Sequence, residues 1–166
     1  MYHSIDEFLQ DWQNESDATK RLFSVLTDES LKRQVYETGR SLGRLAWHIT
    51  TSIPEMGGKT GLPVQGPAED SDVPDTAIAI TTAYAQAADS LAESVSKTWT
   101  DASLYEERNM YGETWSNRTT LAVLIRHQIH HRAQMTILMR QAGLTVPGLY
   151  GPAKEEWAQY GMPAQE

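Results

Sequence analysis

Cysteine is absent from the 166 residues. That excludes disulfide staples, thiolate zinc sites and cysteine nucleophiles, and leaves any transition-metal site to His, Asp or Glu. A basic surplus is missing too: 14 Lys plus Arg stand against 22 Asp plus Glu, a formal charge of -8, and no basic run occurs. Coating a duplex requires a basic face to neutralise phosphates, so no nucleic-acid partner is expected. No apolar run approaches the roughly 20 residues that cross a bilayer. The opening Met1-Tyr2-His3-Ser4-Ile5-Asp6-Glu7 has neither the positive start nor the apolar segment of a signal peptide. A cytoplasmic protein with no membrane association is the resulting expectation. Internal repeats and low-complexity tracts are also lacking.

What is present suffices for a core. Hydrophobic residues make up 40% of the chain and charged ones 22%, a globular balance at a length that suits one domain over residues 1–166. Four segments carry helical periodicity. The first opens on Ser4-Ile5-Asp6-Glu7, a capping box, and places Ile5, Phe8, Leu9, Trp12, Leu22, Val25 and Leu26 close to one face. Glu15, Ser16 and Thr19 interrupt that stripe, either as a solvated or irregular stretch or as groups facing a polar cavity. The second begins with Ser41 as N-cap and runs through Leu42, Leu45, Ala46, Ile49 and Ile53. From Pro54 to Pro74, glycines and prolines predict a long loop, read as a crossover between helices that are not close neighbours.

The third helix follows Pro74, with Ile78, Ile80, Tyr84, Ala87, Ala88, Leu91 and Val95 expected on its buried side. The fourth starts near Ser116 or Asn117 and stops at Gly143. Residues 99 to 115 between them allow a short irregular or extended turn, and the tail has room for a short helix around Glu155 to Tyr160. The expected fold is all-α: a four-helix bundle over about residues 4–143 with a long crossover connection between helices 2 and 3, and a C-terminal tail over 144–166.

Three of the five histidines fall within Arg126-His127-Gln128-Ile129-His130-His131-Arg132. His127 and His131, one helical turn apart, share a face and can converge on one metal ion. His130 lies about 100° further round and is read as supporting or surface. Buried without partners, a neutral imidazole costs about 1–3 kcal/mol, and metal ligation plus one hydrogen bond removes that cost. The alternative is a pair of surface or hydrogen-bonded core histidines. His48, beside the apolar Leu45 and Ile49 of the second helix, supplies a third candidate ligand. Three neutral nitrogens would leave a coordination position open, as catalytic sites do. Zinc or nickel come first for such a site, with iron or manganese also admissible.

Arg40-Ser41-Leu42-Gly43-Arg44-Leu45-Ala46-Trp47-His48 and His127-Gln128-Ile129-His130-His131-Arg132-Ala133-Gln134, followed by Leu138, Arg140 and Gly143, resemble the DinB-like (DinB/YfiT) superfamily of bacterial four-helix bundles. The likeness spans nearly the whole chain up to about Gly143. It departs at Ala133, where many relatives carry glycine. It implies a divalent metal held by His48, His127 and His131, a homodimer, and a small-molecule substrate. Some members look like transferases or isomerases that use low-molecular-weight thiols such as mycothiol or bacillithiol. The expected function is therefore a metal-dependent enzyme, thiol transfer being favoured; a hydrolase and a non-catalytic metal- or ligand-binding bundle are the alternatives.

No general base is nominated. Gln134, a turn beyond His131, and Glu15 or Thr19 on the first helix are candidates with equally simple surface or packing roles. Tyr111, Trp115 and Tyr150 are read as core caps, Trp47 as packing or dimer surface, and Trp157 as anchoring an amphipathic tail. The five tryptophans lend the dimer some support, since a small bundle can need some of them at an interface.

Overall fold

Ser4 opens the first helix, α1 (Ile5–Phe23), as its capping box requires: its hydroxyl accepts from the Glu7 amide at 3.2 Å while the Glu7 carboxylate accepts from the Ser4 amide. The computed structural model describes residues 1–164. Three further helices follow: α2 (Leu42–Lys59), α3 (Ala77–Thr98) and α4 (Asn117–Gln141). The Ser41 and Thr76 hydroxyls cap α2 and α3, and Gly143, at φ 77°, closes the end of α4. The fold is the expected all-α bundle with one small addition. Residues 107–116 form an antiparallel hairpin, β1 (Glu107–Met110) with β2 (Glu113–Ser116), that leads directly into α4. Its two-residue turn, Tyr111 at φ 57° and Gly112 at φ 88°, has the type I′ form that matches strand twist.

The helices pack in a ring: α2 lies against α3 and α4, and α1 lies against the same two. The Ile5 amide at the start of α1 donates to Asp101 just past the end of α3 (2.9 Å), and Arg108, just before α4, donates to the Thr60 carbonyl at the end of α2 (3.2 Å). α1 and α4 therefore start at the end of the bundle where α2 and α3 finish. At the opposite end, Asp28 accepts from the amide of Ala77, the first residue of α3, at 2.7 Å. This orientation corrects the expected reason for the long connection. α2 and α3 are packed neighbours that run in the same direction, so the chain must travel back the length of a helix, about 27 Å for 18 residues, before α3 can begin.

The return path also explains the glycines and prolines read as helix breakers. α2 continues through Pro54 to Lys59 rather than ending at the proline. Proline there forfeits one ladder hydrogen bond, while buried Ile53 and Met56 anchor the turns on either side. Gly57 is a close-approach position: a Cβ there would lie 2.7 Å from the Val64 side chain of the returning segment. A Cβ on Gly66 would lie 2.9 Å from the Pro54 ring. Only at Gly61, at φ 87°, does a glycine end the helix.

The core runs the length of the bundle. Phe8, Trp12 and Leu22 of α1 meet Ile49 and Ile53 of α2, Ile80, Tyr84 and Leu91 of α3, and Leu121, Met135 and Leu138 of α4, all buried. The Trp12 indole donates to the Ala88 carbonyl at 3.0 Å, satisfying its one polar atom inside this core. Ile78 departs from expectation and is 72% exposed. Two residues on a helix are about 200° apart, so Ile78 cannot share the buried face that Ile80 occupies.

The remaining aromatic expectations divide. Trp47 is a packing residue, buried, with its indole donating to the Ser71 carbonyl at 3.1 Å. Tyr111 and Tyr150 are not core caps: both are exposed over their rings, with hydroxyls reaching inward to carboxylates. Trp115 is half-buried, edge-on to Tyr111 with ring centroids 5.9 Å apart. The tail forms a 3-10 segment, Lys154–Tyr160, in which Trp157 is half-buried rather than locked into the core. Glu155 ties it to Arg140 at 2.6 Å, and Glu156 accepts from the Gly148 and Ala153 amides. No helix among the described residues is long and apolar enough to cross a membrane.

Candidate metal centre

α2 and α4 run antiparallel across one side of the ring, and their facing seams carry the histidines. The structure brings His48, His127 and His131 together as a group that could hold a metal ion, with ligand atoms all within 4.8 Å of one another. The His127 Nε2 lies 3.0 Å from the His48 Nε2 and 3.1 Å from the His131 Nε2. The three rings stand nearly perpendicular to one another, with centroids 4.5 to 4.8 Å apart, so their edges converge on a common point.

Hydrogen bonding alone cannot serve these three nitrogens. The Gln134 Oε1 accepts from the His131 Nδ1 at 2.8 Å, which fixes the proton there and leaves the His131 Nε2 as a lone pair. A single proton on the His127 Nε2 can serve only one of its two neighbours. The His127 Nδ1 is buried with no partner among the described residues. One cation accepting three lone pairs resolves the conflict, so the donor set fits a transition metal. The same conclusion follows from charge. Burial, first, and the neighbouring imidazoles and Arg40 push His48 and His127 down to about 4, and burial lowers His131 as well, opposed by Gln134. All three are neutral at pH 7, the ligating form.

The residues around the ligands sort differently from the sequence reading. Gln134 is a positioning group: besides holding His131, its amide donates to the His130 Nε2 at 3.0 Å. His130 is thereby both exposed and linked to the site through one intermediary. Glu15 and Thr19 do not reach the metal centre, and Glu15 lines a separate polar cleft beside Asp11, Asn14 and Tyr150. Both Glu15 and Thr19 are buried against Arg132, which is 1% exposed, on another face of α4. The Arg132 Nη1 donates to the Glu15 carbonyl at 2.6 Å and to the Thr19 Oγ1 at 3.0 Å, and its Nη2 pairs with the Glu15 carboxylate and meets the Tyr150 hydroxyl. The Tyr150 hydroxyl also donates to the Glu15 carboxylate at 2.7 Å; burial and that bond push the phenol up to about 12.

Two clefts give access to the histidines. One, of about 280 Å³, is lined by His48, His127, Ser52, Glu55, Glu69 and Tyr111, among others. The Tyr111 hydroxyl donates to the Glu55 carboxylate at 2.6 Å, and the Lys59 ammonium lies 3.4 Å from the other Glu55 oxygen. The second, of about 400 Å³, opens on the His131 side beneath Arg40. A helix that stops at Pro54 leaves Glu55 out of the site, whereas α2 continues to Lys59. Glu55 lies seven residues after His48, two turns along on the same face, so continuing the period reaches it. Tyr111 had no comparable signal, since its place depends on the hairpin turn.

Comparison with known proteins agrees with this picture. The DinB family model matches residues 1–165. The chain is 48% identical to the uncharacterized protein YrdA of Bacillus subtilis strain 168, covering 99% of this chain and 98% of that one. Its structure is similar to that of a DinB-like protein from Bacillus cereus ATCC 10987, with 44% identity, coverage of 90% of this chain and 100% of that one, and a TM-score of 0.88. A more distant DinB-like protein from Bacillus subtilis, YjoA, at 20% identity, shares the fold with a TM-score of 0.67, over 86% of this chain and 96% of that one. The motif on α2, the motif on α4 and the match over the whole length lead to one statement: the chain belongs to the DinB family.

Proposed function

We propose that His48, His127 and His131 hold one divalent transition metal, zinc or nickel before iron or manganese, and that the protein is a metalloenzyme. The transfer of a low-molecular-weight thiol to an electrophile is the favoured reaction. The observation that carries this reading is the convergence of three neutral imidazoles at a point reached by two clefts. A site meant only to stabilise the bundle would have been closed by a fourth ligand. A bound divalent ion would supply Lewis acidity, lowering the pKa of a thiol brought to it.

The chain's own residues do the rest. Gln134 holds His131 in the tautomer that presents its Nε2. Glu55, kept in place by Tyr111 and Lys59, is a carboxylate in the same cleft as His48 and His127 and is suited to accept the thiol proton. The sulfur then forms a bond to the electrophilic carbon as the carbon–halogen bond breaks and halide leaves. Metal-loaded protein incubated with bacillithiol and a chlorinated aromatic should form the thioether and release chloride. Product no greater than with His48→Ala would sink the transferase reading.

A homodimer belongs to the same proposal and rests on the family likeness alone. Trp12 and Trp47 are buried within the chain and belong to its own core, while Trp99, Trp115 and Trp157 are half-buried. Light scattering of the purified protein would decide it, a monomer's mass at working concentration being the contrary result.

A further inference from the structure

The cleft on the His131 side has a composition that metal binding alone does not require. Its floor and walls include Arg40, Tyr36, Leu45, Ile137 and Leu138. Tyr36 and Ile137 are 66% and 59% exposed, an apolar rim left open beside a charged group. Arg40 pairs with no carboxylate among the described residues, although acidic residues outnumber basic ones 22 to 14. It lines the same cleft as His131. The opposite cleft carries Glu55 and Glu69 instead. The two entrances to one centre thus differ in sign.

We infer that the Arg40 cleft is a subsite for a small organic anion, a carboxylate on an aromatic or aliphatic body. The carboxylate sits on the Arg40 guanidinium and the body lies against Tyr36 and Ile137. A guanidinium presents paired N–H donors that match a carboxylate's two oxygens. Apolar walls gain from covering the body of such a ligand and leave its charge at the open rim. An anion also approaches a divalent ion favourably, whereas a cation entering here would meet two like charges. The Arg40 side chain is exposed, so its role is selectivity among ligands rather than affinity on its own.

The inference rests on the metal reading of the three histidines, and the test separates the two. Zinc content is measured first in the protein and in Arg40→Gln, both expected to hold one equivalent. Calorimetric titration of each with para-mercaptobenzoate and para-mercaptobenzamide then compares an anion with its neutral counterpart. The unaltered protein should favour the carboxylate about fivefold more than Arg40→Gln does. An identical preference in the two proteins overturns the anion subsite and leaves the metal reading standing. Should neither protein take up zinc, the metal reading fails, and benzoate against benzamide decides the cleft by itself. Perturbation of the Ile137 and Leu138 methyl signals by benzoate, lost in Arg40→Gln, supports the subsite; equal or absent perturbation overturns it.

Discussion

α4 carries two polar clusters side by side. His127 and His131 project from one face, while Gln128 and Arg132, each one residue further on, project about 100° round the helix into the core. Both clusters recruit a partner helix, α2 for the histidines and α1 for the arginine. Their chemistry is opposite. The Arg132 cluster is closed in charge: the buried guanidinium faces the buried Glu15 carboxylate, which also accepts from the Tyr150 hydroxyl, although the Arg132 Nε has no partner among the described residues. The histidine cluster is open, with acceptors converging on acceptors and clefts on two sides. A buried charge that meets its opposite is costly to break and needs no further ligand, whereas lone pairs that face one another mark the place for a cation.

The sharpest way to break this comparison is to remove one member from each side. His127→Ala should abolish metal uptake, with elemental analysis falling from one equivalent to background, while the variant still folds. Retained stoichiometry would take His127 out of the ligand set. Arg132→Ala should do the reverse, costing about 3–5 kcal/mol because Glu15 is left buried and unpaired, with one equivalent of metal still bound by the folded fraction. Urea denaturation measures the first effect; a loss below about 1 kcal/mol, the range of an exposed pair, would show that the ion pair is solvated.

Acid distinguishes the clusters as well. His48 and His127 sit near 4 in the folded, metal-free protein against about 6.5 in an unfolded chain. Between those values the unfolded chain binds more protons. The stability they contribute is therefore complete above about pH 6.5 and is lost as pH falls through that window toward 4. Imidazole resonances of His48 and His127 that titrate at the ordinary value would refute the burial argument.

Smaller changes probe the supports. Gln134→Ala frees the His131 tautomer and should weaken metal affinity about 10–100-fold, measured by competition with a chelator. Tyr150→Phe removes one hydroxyl from the closed cluster and should cost about 1 kcal/mol, with metal affinity unchanged. A change in metal affinity from Tyr150→Phe would mean that the clusters are coupled through α4.

The two clusters were unequally legible in the sequence. A one-turn spacing at His127 and His131 carries its own geometry, and His48 beside Leu45 and Ile49 had to lie near the buried seam of α2. Glu15 and Thr19 showed only as gaps in an apolar stripe, because a carboxylate's partner can come from anywhere in the chain. Arg132 lies 117 residues away from Glu15. Pro54 misled for a related reason: a local rule ended α2 early, whereas packing of Ile53 and Met56 outweighed one missing hydrogen bond and brought Glu55 to the cleft.

Local information sufficed for the four helices, their caps at Ser4, Ser41 and Gly143, the extended turn before α4 and the histidine spacing, since each depends on residues within about one or two helical turns. Tertiary structure alone decided that α2 and α3 run the same way, that Gly57 and Gly66 serve close packing, that Glu15 meets Arg132, and that the centre opens through two clefts of unlike charge. Those outcomes turn on which surfaces meet across the bundle, and contacts between distant segments leave no periodic trace in either segment.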